Sequence, residues 1–249
     1  MINLLNDFMK EYILSKLLNL IKSWRKPYFD FSQLGEEKVL LNIIERIASQ
    51  RKINHHYIDI GGYNPIIFSN TYKLYQKNWC GLIVEPNKNK LKDWNKVRPK
   101  DYLVNCALVE KNYNEEKIKI YFNRENSADE TAHPKTKVSE LNYYEAKTIK
   151  LKKIFDICEK KFSKPFFLNM DIEGNEDKLL LELNNIDYKV PLICVELFLD
   201  KNINQFSVFD YKKLDSVIFL EKIGYYLVSI CGPSLIFCDK NHWVPFSKL

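Results

Sequence analysis

The stretch Tyr57-Ile58-Asp59-Ile60-Gly61-Gly62-Tyr63-Asn64-Pro65 constrains what this chain can fold into more than any other. Tyr57 to Ile60 reads as a buried strand that carries an acid near its end and turns at once through two glycines. Glycine lets the backbone turn sharply and lets a ligand approach closely. In an open α/β sheet, ligands bind beyond the carboxyl ends of the strands. The segment does not complete the G-x-G-x-x-G fingerprint. Only Gly61 and Gly62 are present, and Pro65 stands where a later glycine would be. A pyrophosphate cradle is therefore poorly supported.

From this turn onward the pattern alternates. Phe68 to Asn78 reads as a helix, Gly81 to Glu85 as a second strand, the polar stretch through Arg98 as a helix, and Tyr102 to Leu108 as a third strand. Lys117 to Phe122 alternates with period two, as a peripheral or antiparallel strand does. A helix over Ile154 to Lys161, a strand over Phe166 to Asp171, a helix over Leu179 to Leu183, a strand over Leu192 to Glu196 and a helix over Phe209 to Ile223 follow. The chain closes with a hairpin, Tyr225 to Ile230 and Leu235 to Cys238, about Cys231-Gly232-Pro233. This order predicts an α/β fold: a mostly parallel central sheet with helices on both faces and an antiparallel C-terminal hairpin.

Two segments stand apart. In residues 1–50, Leu5, Met9, Tyr12, Leu17, Leu20 and Trp24 recur at helical spacing among lysines, and a second apolar stripe runs from about Gly35 to Gln50. They predict a helical N-terminal extension ahead of a main domain at residues 51–249. Residues 1–25 suit packing on the main domain, a homodimer through the N-terminal helices, or peripheral contact with an anionic membrane surface. Residues 124–147 are polar and aperiodic, which predicts a lid or mobile insert. It holds His133, read as an exposed loop histidine.

Composition matters for what it excludes. A chain of 249 residues, 46% hydrophobic, can bury a large core. The net charge of +6 is spread along helix faces such as Lys152-Lys153 and Lys160-Lys161, so no nucleic-acid partner is expected. Six cysteines make no C-x-x-C pair and no zinc-spaced cluster, which fits a reduced, cytoplasmic protein. No secretory signal is expected from the first residues, which lack a basic start followed by an unbroken apolar run, and no run nears the ~20 apolar residues needed to span a bilayer.

Further residues converge on the strand ends. Glu85, in Val84-Glu85-Pro86-Asn87, closes the second strand, where an acid accepts both ribose hydroxyls of an adenosine ligand. That placement is shared with nicotinamide enzymes. Asn105-Cys106-Ala107 closes the third strand and suits an adenine pocket. Asn169-Met170-Asp171-Ile172-Glu173-Gly174-Asn175-Glu176 crowds three carboxylates around the end of a central strand, although capping of the next helix would also explain Glu173 or Glu176. Glu196 ends the following strand and faces the same crevice.

Taken in order, these motifs resemble the FkbM-type methyltransferase family: the Asp59 to Asn64 turn, Glu85-Pro86-Asn87, Asn105 to Ala107, the Asn169 to Glu176 block and Glu196, with Thr148 to Leu151 matching the segment before the acidic block. The likeness spans roughly residues 55–240. Gly62, Tyr63 and Asn169 depart from the usual Ala, Asn and Lys, and Asn64-Pro65 followed by Ser69-Asn70-Thr71 matches a subgroup pattern. The resemblance implies a Rossmann-like class I methyltransferase fold that binds S-adenosylmethionine and methylates a hydroxyl of a glycan, a nucleotide-sugar precursor or a similar small acceptor. It implies a cofactor site formed by Asp59, Gly61, Gly62, Tyr63, Asn64, Ser69, Glu85, Pro86, Asn87, Asn105, Ala107 and Asp171. Asp171, Glu173 and Glu196 are the candidates for the catalytic base, which contributes ~10²–10⁴-fold in such reactions. Their oxygens would suit Mg²⁺, but a metal is not favoured. The alternatives are an NAD-dependent oxidoreductase, against which the missing third glycine and the hairpin argue, and a non-catalytic module of a glycan-assembly complex.

Overall fold

A computed structural model describes residues 30–123, 126–132, 142–197 and 208–245. The strands, in chain order, are β1 (His56–Ile60), β2 (Cys80–Val84), β3 (Tyr102–Val104), β4 (Ala107–Val109), β5 (Lys117–Asn123), β6 (Asn126–Thr131), β7 (Asn142–Lys150), β8 (Phe167–Met170), β9 (Leu192–Glu196), β10 (Tyr225–Cys231) and β11 (Ser234–Asp239). The helices are α1 (Glu36–Ala48), α2 (Tyr72–Gln76), α3 (Leu91–Val97), α4 (Leu151–Lys161), α5 (Glu176–Leu181), α6 (Val208–Tyr211) and α7 (Asp215–Lys222).

Seven strands form one sheet in the order β10-β11-β9-β8-β1-β2-β3. β3, β2, β1, β8 and β9 are parallel, and β11 runs antiparallel to both β9 and β10. This is the Rossmann-like class I arrangement. Parallel strands covered on both faces must be apolar on both, and the pleat divides them. Ile58 and Ile60 join Leu168, Met170, Ile193 and Val195 in a core under α4, α5 and α7, while Tyr57, Phe167, Leu192 and Cys194 join a second core under α1, α2 and α3. The strand order reverses direction between β1 and β8, which places the ligand crevice above their carboxyl ends.

Phe31–Leu249 form one compact unit, and α1 belongs to it. Leu40, Ile43, Ile44 and Ile47 pack in the same core as Tyr57 and Trp94. The helix expected over residues 1–25, with its membrane and dimer roles, lies outside the described residues, as does His133.

Four sequence expectations change. The strand expected over Tyr102 to Leu108 is two strands, because the chain leaves the main sheet at Asn105 and Ala107–Val109 pair in parallel with Thr148–Lys150. The helix expected over Phe68 to Asn78 shortens to Tyr72–Gln76. The Asn64 side chain accepts the N–H groups of Ile66 and Ile67 (both 2.9 Å), and Phe68 lies at φ 57°, so the chain cannot enter a helix earlier. The stretch 124–147 is not structureless throughout: Asn126–Thr131 and Asn142–Lys150 build a second, four-stranded sheet of order β4-β7-β5-β6. The helix expected over Phe209 to Ile223 is likewise broken into α6 and α7.

Candidate active site

The crevice floor is backbone. Gly61 lies at φ +84°, and a Cβ there would fall 1.5 Å from the carbonyl oxygen of Asp171, so the β1 turn and the end of β8 touch with no room for a side chain. A Cβ on Gly62 would meet Ile83 Cγ2 at 2.6 Å and the Trp94 ring at 2.9 Å, which sets the turn down on β2 and α3. Tyr63 follows at φ 42°. Positive φ in a bulky residue is costly and collects at functional turns.

Glu85 stands beside this turn, almost completely buried. Its two carboxylate oxygens accept the backbone N–H groups of Tyr63 (2.8 Å) and Asn87 (2.7 Å). A carboxylate offers about four acceptor positions, so both oxygens can still take ribose hydroxyls. Burial pushes its pKa up to about 7, against the opposing charge of Lys90. Asn105 does not line the cavity; its Nδ2 donates to the carbonyl oxygens of Glu85 and Pro86 (both 2.9 Å) and fixes the loop that carries Glu85. Asn87 is tied to the second sheet, its Nδ2 donating to Glu130 Oε1 (2.9 Å). Glu130 also pairs with Lys90 (2.9 Å) and accepts from Tyr144 Oη (2.7 Å). Lys90 in turn sits 4.5 Å from the Tyr63 ring centroid.

Asp59 is 3% exposed and both its oxygens are occupied. Thr71 Oγ1 donates to Oδ2 (2.5 Å) and Asn169 Nδ2 donates to Oδ1 (2.9 Å). Behind Thr71 lies Arg98, fully buried, whose Nη1 and Nη2 both donate to Thr71 Oγ1 (3.0 Å each). Its Nε pairs with Asp101 (2.7 Å) and its Nη2 donates to Tyr57 Oη (2.6 Å). Ser69 Oγ accepts the N–H of Tyr72 (3.1 Å) and lies 3.3 Å from Arg98 Nη1. Asp59 thus contributes a carboxylate fixed by a donor on each oxygen to the crevice.

Asp171 is different. It follows β8, where its backbone N–H donates to Ile60 O (2.9 Å), and its Oδ1 is buried without a hydrogen-bond partner among the described residues. Burial, then the charge of and hydrogen bond with Glu196, hold its carboxyl well above the usual carboxylate range. Burial likewise pushes Glu196 up to about 7. Asp171, Glu173 and Glu196 each bring one carboxylate oxygen within 4.8 Å of the others. Oxygen donors of this kind suit a hard cation. Glu176 has a separate duty: it accepts the N–H groups of Ile172 (2.9 Å) and Gly174 (3.1 and 3.0 Å), capping a turn in which Glu173, Gly174 and Asn175 all have positive φ. Thr131 Oγ1, from the second sheet, donates to Glu173 O (2.6 Å).

These elements enclose a cavity of about 380 Å³. Of the residues expected from the sequence, Asp59, Gly61, Gly62, Tyr63, Ser69, Glu85, Pro86, Ala107, Asp171 and Glu173 line it. Asn64, Asn87, Asn105 and Glu196 do not, and the first three act on the turns that shape it. Sequence reading missed Lys90, Asn70 and Glu130, as well as the apolar wall from Ile118, Ile120 and Ala132. Among the described lining residues, six carboxylates (Asp59, Glu85, Glu110, Glu130, Asp171, Glu173) face the single cation Lys90. That balance disfavours a pyrophosphate and favours a cationic ligand.

The Methyltransferase FkbM domain matches residues 59–242. No curated protein sequence matches the chain. A TehB-like SAM-dependent methyltransferase from Corynebacterium glutamicum is similar in structure at 9% identity, covering 94% of this chain and 100% of that one, with a TM-score of 0.38. That likeness is too distant to bear on the site.

Proposed function

The chain belongs to the FkbM methyltransferase family, and we propose that it moves the methyl group of S-adenosylmethionine to a hydroxyl of a carbohydrate or a similar small acceptor, in the cytoplasm. The observation that carries this reading is the pairing, in one crevice, of a buried ribose-type acid with a crowded acid pair. Glu85 is anchored by two backbone N–H groups beside the glycine turn, and the carboxyl groups of Asp171 and Glu196 crowd together with Glu173 at the ends of β8 and β9. S-adenosylmethionine would supply an electrophilic methyl on a sulfonium, whose positive charge the acid-lined cavity suits.

The residues then divide the work. Glu85 binds the ribose hydroxyls, and the Gly61-Gly62 turn lets the nucleoside lie against backbone. An alcohol is a poor nucleophile until its proton leaves. Glu196, with a pKa near neutrality, is matched to take up that proton by way of Asp171 and Glu173, which line the cavity and whose oxygens lie within 4.8 Å of its own, as the new oxygen–carbon bond forms and the carbon–sulfur bond breaks. Asp171, whose carboxyl burial and the Glu196 charge hold well above the usual carboxylate range, disfavours ionisation of both acids at once. The wall of Ile118, Ile120 and Ala132 supports an acceptor site on the second sheet. Free thiols at all six cysteines support a reducing compartment, and no helix among the described residues is long and apolar enough to cross a membrane.

Calorimetric titration with S-adenosylhomocysteine tests the cofactor; no binding by the wild-type protein sinks the reading. Incubation with S-adenosylmethionine and a panel of sugars, read by mass spectrometry for one added methyl, tests the acceptor class. Methylation of amines but never of hydroxyls in such a panel would refute the proposed chemistry.

A further inference from the structure

A chain of hydrogen bonds with a forced polarity runs from the buried Arg98 into the cavity. Arg98 can only donate, and two of its N–H groups point at Thr71 Oγ1, so the Thr71 hydroxyl proton goes to Asp59 Oδ2. Asp59 Oδ1 is the acceptor on the other side, and the group it faces must donate, so Asn169 turns its NH₂ toward Asp59. The Asn169 carbonyl oxygen is then left facing Asn70, which must donate in its turn: Asn70 Nδ2 to Asn169 Oδ1, 3.0 Å. The nitrogen of Asn70 also lies 3.8 Å from Cys194 Sγ, a weak acceptor on the same side. An amide has two ends. With its nitrogen committed, Asn70 Oδ1 is buried without a hydrogen-bond partner among the described residues, although Asn70 lines the cavity. A buried acceptor left in that state is destabilising, and each such group calls for an explanation.

We infer that Asn70 Oδ1 is a specificity-determining acceptor for a donor group on the cofactor's amino-acid tail, its α-ammonium, with Asn169 as the positioning residue that holds the amide in that sense. The inference rests on the S-adenosylmethionine reading above and goes beyond it. A carboxylate offered to the same spot would face an oxygen that the relay cannot turn away. The excess of acids over cations in the lining points to the same sign of ligand charge.

The test is a ligand cycle on the full chain. Titrate wild type and Asn70→Ala with S-adenosylhomocysteine, with its analogue lacking only the amino group, and with methylthioadenosine, which lacks the tail. Wild type should bind S-adenosylhomocysteine about tenfold more tightly than the deaminated analogue, since a hydrogen bond to a charged group is worth roughly a factor of ten or more. Asn70→Ala should erase that tenfold difference and leave methylthioadenosine unchanged. An equal loss on all three ligands would show a merely structural role and overturn the assignment, as would an unchanged preference for the amino group. Should Asn70→Ala fail to fold, wild type decides alone: equal affinity for the two tailed ligands overturns the inference. Failure of the underlying reading looks different, since wild type would then bind none of the three.

Discussion

Asp59 and Asp171 are the same residue type at the carboxyl ends of neighbouring parallel strands, yet they have opposite surroundings. Asp59 is met by donors on both oxygens, Thr71 and Asn169, with Arg98 behind them. Asp171 has Glu196 and Glu173 as neighbours, and its Oδ1 has no hydrogen-bond partner among the described residues. The strand end alone therefore does not decide what an acid does. Donors around a carboxylate make it a fixed anchor; acids around a carboxylate make it a proton holder.

The sharpest way to break this comparison is to neutralise each side in turn. Glu196→Gln should cut methyl transfer by ~10²–10⁴-fold, while S-adenosylhomocysteine affinity, followed by calorimetry, stays within about threefold. A comparable loss of binding would mean that the acid pair belongs to the anchor. On the other side, Arg98→Ala should destabilise the fold by about 3–5 kcal/mol, because it strands Asp101 and removes the donor behind Thr71. Denaturant unfolding measures this, and a loss under 1 kcal/mol would show that the relay is ornamental. Glu85→Gln should weaken S-adenosylhomocysteine by roughly 10- to 100-fold, as charge-assisted bonds to two hydroxyls become neutral ones.

The smallest effect is on pH. The pKa values of Glu85 and Glu196 are raised in the folded protein to about 7 from 4.5. A raised pKa contributes stability that is fully present below the unfolded value and is lost as pH rises through the folded one. The unliganded protein should therefore melt at a higher temperature near pH 5.5 than near pH 8, by several degrees if the two acids together contribute about 2 kcal/mol. Thermal scans of wild type against Glu85→Gln check it: the variant's melting temperature should depend less on pH. A melting temperature that rises toward pH 8 would contradict the assignment.

How much of this was legible beforehand depends on whether one element or several hold a residue. β1, β2, β8 and β9 announce themselves as apolar runs closed by or near acids, and Glu85 could be placed from its position alone. Arg98 could not. In sequence it ends a polar helix and reads as solvated, because Tyr57, Thr71 and Asp101, which bury it, are scattered across three other segments. Glu130 was hidden for a related reason. β7, in the same small sheet, exposes Tyr143, Glu145 and Lys147 and buries Ala146 and Ile149, so its apolar signal is diluted and the stretch reads as a polar loop. Asn64, Asn87 and Asn105, expected from the sequence to bind the cofactor, hold loops and do not line the cavity, a distinction that needs the hydrogen bonds.

The contact at Gly61 has one more implication. Because the β1 turn rests directly on the Asp171 carbonyl, the gap between the nucleoside anchor and the acid pair is set by main chain and cannot be tuned by swapping side chains. Evolution of a new acceptor has little freedom there. It must act on the opposite wall, where β5 and β6 bring Ile118, Ile120 and Glu130 to the cavity. The glycine works as a gauge block, and the variable jaw of the tool is the small second sheet.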